Sequence, residues 1–192
     1  MAILNAVSRR GCRHPTWGNV RIARRMLCGL LVAASALAQT YQEHEVKAAF
    51  LYNFAKFTTW PADKLASGTL NVCVIGEDPF GSVLDAMMRD KVVRGVHVNV
   101  ARYTKPQELT NCHIVFVGIS SASQVQEVMQ LASKCNFLTV GETTGFAENG
   151  GMIGLTIQEG RVQFQINLAP LKRGGLQVSS KLLELAAIVR GR

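Results

Sequence analysis

Apolar positions along the chain fall into two periodicities. Val46, Phe50, Phe54 and Phe57 recur at spacings of four, four and three, the signature of one helical face. That helix ends near Trp60-Pro61, and Lys47, Asn53 and Lys56 fall on its other face. Thr40 and Glu43 precede it in a capping-box arrangement. Leu70–Ile75 (LNVCVI) reads as a strand. Gly76-Glu77-Asp78-Pro79 then turns into a helix, with Asp78 as N-cap and Pro79 at its first position. Val96–Tyr103 (VHVNVARY) alternates apolar and polar and predicts a half-buried strand near a sheet edge. Ile114–Val117 is continuously apolar and therefore central; Ser121-x-x-Gln124 opens another helix, and Phe137–Val140 is a further strand.

Strand and helix thus alternate, which predicts a mostly parallel sheet flanked by helices. The pattern then changes. Met152–Gln158 and Arg161–Leu168 alternate on either side of Glu159-Gly160, a β-hairpin signal. Ser179-Ser180 opens a final helix through Leu182, Leu183, Leu185, Ala186 and Val189. The expectation is a single α/β domain with a C-terminal β-hairpin and final helix. The chain shows no repeat, linker or low-complexity tract.

Charge changes the picture at one end only. The formal charge is +8, but six arginines and no acid lie within residues 1–38, leaving 15 basic residues against 13 acidic in the remainder. The body of the protein thus has little charge-based claim on nucleic acid. Arg21, Arg24 and Arg25 flank Met26–Ala38, an apolar run of thirteen that ends in Ala36-Leu37-Ala38. A membrane-spanning helix needs roughly 20 residues. The run instead reads as a Sec-type signal peptide over 1–38, cleaved before Gln39, with the folded domain at 39–192 and the periplasm as destination. Cys12 and Cys28 leave with the leader, while Cys73, Cys112 and Cys135 remain. An oxidising compartment permits a disulfide. Cys73 and Cys112 lie within or at the start of strands, and adjacent strands place Cα atoms within bonding range. Two buried free thiols are the rival reading of that pair. Cys135 is left as a free thiol, either buried or linking two copies into a homodimer.

Catalytic and cofactor chemistry is sparse. Gly76–Gly81 carries acids where a phosphate loop needs bare amides or a cation, and matches neither dinucleotide nor P-loop spacing. Gly118-Ile119-Ser120-Ser121 is a better anion cradle, although capping alone accounts for its serines. His44, His97 and His113 are scattered, and Cys112-His113, as strand neighbours, point to opposite faces, so no metal site is expected. Gly118-x-Ser120 lacks the closing glycine of a nucleophile elbow. Glu142 is a loop acid with no partner evident in the sequence. No catalytic residue, cofactor or enzyme activity is expected.

Several segments together resemble the YfiR family of small periplasmic proteins: VKAAFLYNFAKFTTWP (46–61), NVCVIGEDPFG (71–81), CHIVFVG (112–118), LTVGETTGFAENGGMIGL (138–155) and VQFQINLAPLKRGGLQVSSKLLELA (162–186). The resemblance implies a non-enzymatic α/β domain. It also implies binding to the periplasmic sensor region of an inner-membrane diguanylate cyclase, whose cyclic di-GMP output is repressed. Release would come from an outer-membrane OmpA/Pal-like lipoprotein or from redox or envelope stress. Cys73 and Cys112 fall on the family's cysteine pair, which favours the disulfide. Ala147 and Gly154 stand where some relatives carry a second pair. Partner contacts in the family imply Ile153, Gln165 and Leu171 here. The strand alternation puts Ile153 on the core side and leaves Gln165 and Leu171 freer to be exposed. The alternative expectation is a periplasmic small-ligand binder, feeding another membrane sensor through the Gly118–Ser123 turn.

Overall fold

The computed structural model describes residues 42–189. The predicted leader, its cleavage point, Cys12, Cys28 and the capping Thr40 lie outside the described residues. Among the described residues no helix is long and apolar enough to cross a membrane.

Helix α1 (42–57) leads into a two-residue strand β1 (Thr58–Thr59). The order continues with β2 (Thr69–Gly76), α2 (Ser82–Met88), β3 (Val92–Val93), β4 (Val96–Tyr103), β5 (Ile114–Gly118), α3 (Ala122–Cys135) and β6 (Leu138–Gly141). Then follow β7 (Ile153–Gln158), β8 (Arg161–Asn167), α4 (Leu168–Arg173), β9 (Gln177–Val178), α5 (Ser180–Glu184) and β10 (Ala187–Val189). Eight strands form one sheet in the order β10-β8-β7-β6-β5-β2-β4-β3, and β1 pairs antiparallel with β9 apart from it. Strands β4, β2, β5, β6 and β7 run parallel. The hairpins β3–β4 and β7–β8 supply the antiparallel pairs. The mixed α/β architecture, mostly parallel with a C-terminal hairpin, is the one the apolar pattern predicts.

Burial follows from position. Every residue of Ile114–Val117 and Leu138–Gly141 is buried, so both faces of the sheet centre are covered. Helix α1 lies over the hairpin: the rings of Phe50 and Phe54 sit 5.2 and 5.3 Å from that of Phe164 on β8. Phe80, ahead of α2, meets Phe116 edge to face at 4.8 Å. The hairpin turns in two residues, with Glu159 at φ 52° and Gly160 at φ 71°. Such left-handed pairs match the twist of the flanking strands.

Four local expectations are corrected. Helix α2 starts at Ser82 with Gly81 as its N-cap. Asp78 instead accepts hydrogen bonds from the Phe80 and Gly81 amides, closing a turn ahead of the helix. Lys47 belongs to the buried face of α1. The last helix is only Ser180–Glu184, capped by the Ser179 hydroxyl, after which the chain extends as β10 parallel to β8. Leu171 is 2 % exposed, inside the short helix α4, where the sequence suggested freedom.

Candidate functional site

The sheet has two ends of opposite character. At the N-terminal ends of the strands, Cys73 of β2 and Cys112, just ahead of β5, form a disulfide with Cα atoms 6.0 Å apart. Both are buried. A six-residue 3₁₀ turn, Pro106–Asn111, delivers Cys112 to this position. The next residue, His113, is also buried. Its Nδ1 accepts from the Asn71 amide at 3.0 Å, and Nε2 lies 2.9 Å from the Lys64 carbonyl. One ring nitrogen accepts while the other donates, so the neutral imidazole fits. Burial holds the His113 pKa below its ordinary value. The His113 carbonyl accepts from Trp60 Nε1 and from the Leu138 amide. With every polar atom engaged inside the fold, this histidine is a structural junction. Cys135, at the end of α3, is a half-buried free thiol.

At the C-terminal ends, strand order reverses between β2 and β5, the usual ligand crevice of a doubly wound sheet. Here the chain fills it. The Glu77 amide donates to Gly118 O at 2.8 Å, and a Cβ on Gly118 would lie 2.0 Å from Glu77 O. Gly118 therefore permits two strand exits to touch, where a nucleotide fold would admit a phosphate. Only a cleft of about 220 Å³ remains above it, bordered by Glu77, Asp78, Ser120 and Glu142.

The same end carries the segment from Gly141 to Gly151. Phe146 is its plug: Cβ atoms added at Gly141 and Gly151 would stand 2.5 and 2.3 Å from its ring. These glycines let the loop close around one aromatic side chain. Buried Asn167 fastens the loop, donating to Ala147 O at 2.7 Å. Glu142 accepts from the buried Lys47 at 2.5 Å, and Glu43 pairs with the same ammonium. Burial alone would lower the Lys47 pKa. The hydrogen bonds and charges of Glu142 and Glu43 outweigh it, so the pKa lies above its ordinary value. Glu142 thus has the partner that the sequence did not disclose.

Two grooves flank this loop. One of about 580 Å³ runs between it and the hairpin, lined by Lys47, Glu142, Glu148, Leu155, Ile157 and Gln165, among others. The other, about 610 Å³, lies between the loop and α3, with Ile119, Ser120, Val125, Met129, Phe146 and Arg173 in its walls. Of the three residues implied as partner contacts, only Gln165 reaches a groove. Ile153 is fully buried and Leu171 nearly so, and both belong to the core. Among the described residues no cluster of three or more metal-ligating side chains occurs.

Solved structures with partial likeness are diverse. A conserved domain protein from Vibrio cholerae O1 biovar El Tor aligns at TM-score 0.46 and 12 % identity, over 67 % of this chain and 57 % of its own. An ABC domain from Streptococcus pneumoniae, in complex with L-Trp, gives 0.44 and 12 %, over 63 % and 55 %. CD0873, a substrate-binding protein with adhesive properties from Clostridium difficile in a ligand-free, open form, gives 0.43 and 13 %, over 65 % and 55 %. The chain spans a little over half the length of each, and likeness at this level carries no functional argument. A family model described as YfiR/HmsC-like matches residues 44–187.

Proposed function

The chain belongs to the YfiR/HmsC-like family, whose model covers residues 44–187, and we propose on that ground that it is a periplasmic adaptor regulating a membrane sensor. Family membership supports a periplasmic regulatory role in general, exercised through protein–protein contact. The finer reading is that it binds the periplasmic sensor region of an inner-membrane diguanylate cyclase and holds cyclic di-GMP low. An OmpA/Pal-like lipoprotein of the outer membrane would withdraw it, or envelope stress would release it.

The observation that carries this reading is the extent of the family match, which reaches from α1 to β10. The molecule suits the role. A disulfide-clamped sheet presents the Gly141–Gly151 loop and the hairpin as one surface, and Gln165 offers a side chain there. Ile153 and Leu171 would act from inside, fixing the hairpin and the helix after it.

Deleting the gene is expected to raise cellular cyclic di-GMP. Wild-type protein restores the low level, and a Cys73→Ser/Cys112→Ser form restores it poorly. An unchanged level in cells shown to make the protein would reject cyclase repression. A second reading, small-ligand binding that feeds another sensor, draws on the groove between α3 and the loop, where Ser120 and Arg173 meet apolar walls. Calorimetry against metabolite pools, with Ser120→Ala beside wild type, tests it: heat that disappears in the variant supports a ligand site.

A further inference from the structure

Strand lengths at the hairpin leave a piece of backbone without a partner. β6 stops at Gly141, opposite Gly154, whereas β7 continues to Gln158. Leu155, Thr156, Ile157 and Gln158 pair with β8 on one side. Among the described residues no strand lies on their other side. The Asn167 amide donates to Met152 O at the base of this ladder, so even-numbered residues of β7 turn their backbone groups towards β8. Ile157 therefore points its N–H and C=O to the open side.

Past the buried Leu155, that edge is unprotected. Open edges are ordinarily blunted by charge, proline, a bulge or a covering loop. Leu-Thr-Ile-Gln carries no charge and no proline, and Ile157 is 53 % exposed. The 580 Å³ groove lies along this edge, for it is lined by all four residues, whose side chains alternate between the two faces of the sheet. Across it stand Thr144, Gly145 and Glu148 of the loop. An edge backed by such a wall admits one extended segment.

We propose that this groove accepts an extended segment of a partner protein as an added strand, continuing the line of β6 along the free edge of β7. The proposal rests on the adaptor reading and gives it a mode of recognition. Main-chain hydrogen bonds would supply affinity and alternate side chains specificity. Charge selects the occupant: Lys47, Glu142 and Glu148 line the groove, and Glu43, outside the lining, shares the same ammonium, so the wall is net negative. A segment bearing Lys or Arg is complementary. A second copy paired through the same edge would bring two acidic sets together, and is disfavoured.

The probe is a library of random dodecapeptides displayed on phage, panned on the folded domain. Enriched peptides are expected to be β-prone and basic. Binding of a synthetic one should protect the Ile157 amide from hydrogen exchange at least tenfold in the wild-type protein. Ile157→Pro removes an N–H that β8 does not use, and it should weaken that peptide at least tenfold more than Ile157→Ala does. Glu148→Lys, a surface change that leaves the ladder alone, should also weaken it about tenfold. Unaltered Ile157 exchange in a saturated complex overturns the proposal whatever the variants do, as does a self-paired dimer that excludes peptide. In cells the two readings separate. If deletion leaves cyclic di-GMP unchanged, the repressor reading fails and the exchange measurement still decides the edge. If deletion raises it and Ile157→Pro represses as wild type, the edge fails and the repressor stands.

Discussion

The two ends of the central strands are built on different principles. At the N-terminal end, a covalent bond joins β2 to the entrance of β5, and His113 ties Asn71, Lys64, Trp60 and Leu138 to one point. Each link crosses a long sequence distance, and each polar atom is used up within the fold. At the C-terminal end, Phe146 sits between two glycines, Asn167 fastens the loop through Ala147 O, and Lys47 bridges Glu43 and Glu142. Backbone groups of β7 are left over there. An end whose hydrogen bonds are all spent contributes stability, whereas an end with unspent ones can recognise something. On the proposed reading, the first end holds the fold and the second makes the contact.

Removing the clamp attacks the contrast most directly. Cys73 and Cys112 are 39 residues apart, and chain entropy puts the loss in Cys73→Ser/Cys112→Ser at about 4 kcal/mol. Urea unfolding of the oxidised wild type beside the double variant measures it. A difference under about 1 kcal/mol would mean that packing holds the N-terminal end and the bond adds little. Phe146→Ala comes next, at roughly 3 kcal/mol, because the glycines around the ring have no side chains with which to refill the space. Hydrogen exchange should then quicken in residues 142–151 well before it does in β2 or β5. Uniform quickening would show that the two ends unfold as one unit.

What the sequence made legible, and what it hid, divides along the same line. Periodicity exposed α1 through Phe50 and Phe54 and the hairpin through Phe164 and Ile166, since each pattern is local. It assigned Lys47 to the wrong face because the partner, Glu142, lies 95 residues on. A buried lysine looks like a surface one until that carboxylate arrives. Asp78 resembles a helix cap in the sequence because an aspartate that closes a turn and one that caps a helix look alike before a proline. Leu182, Leu183 and Ala186 fit a longer helix, and only parallel pairing with β8 converts the following residues into an edge strand. The open edge of β7 was the least visible feature. It depends on β6 being two residues shorter than β7 and on the register between them, neither of which is written in either strand alone.

A second clamp would make the two ends alike. A Cβ built at Gly154 would lie 3.4 Å from that of Ala147, close to the separation a disulfide needs. Ala147→Cys/Gly154→Cys is expected to oxidise spontaneously and to stabilise by roughly 2 kcal/mol, the short loop limiting the gain. Mass spectrometry and urea midpoints with and without reductant would show it. Partner affinity should also move, since the clamp stiffens one wall of the hairpin groove. The clamped end has its own weakness in acid. His113 has a folded pKa below the unfolded value of about 6.5. Its contribution is therefore present in full above that pH and is lost as pH falls towards the folded value. The urea midpoint should drop between pH 7.5 and 5.5 in the wild type and much less in His113→Phe, which is weaker throughout because Asn71 N–H and Lys64 O lose their partner.

The smallest effect belongs to a cluster that looks strongest on paper. Arg102 of β4 reaches Asp78 at 2.7 Å, Asp85 at 2.6 Å and the Gly81 carbonyl at 2.7 Å. Its hydrogen bond to Asp85 holds that carboxyl below its usual range. Yet the guanidinium side chain is 39 % exposed and that of Asp85 44 %. Water already screens both charges, so little free energy depends on the pairing. Arg102→Ala should cost about 0.5 kcal/mol, a loss that shrinks further in 0.5 M salt, as the screening length of several ångströms dictates. A loss above about 2 kcal/mol that persisted in salt would show that the Gly76–Gly81 turn relies on Arg102. The C-terminal end would then rest on an exposed ion-pair cluster as well as on Phe146 and Lys47, and it could not be set apart from the stabilising end.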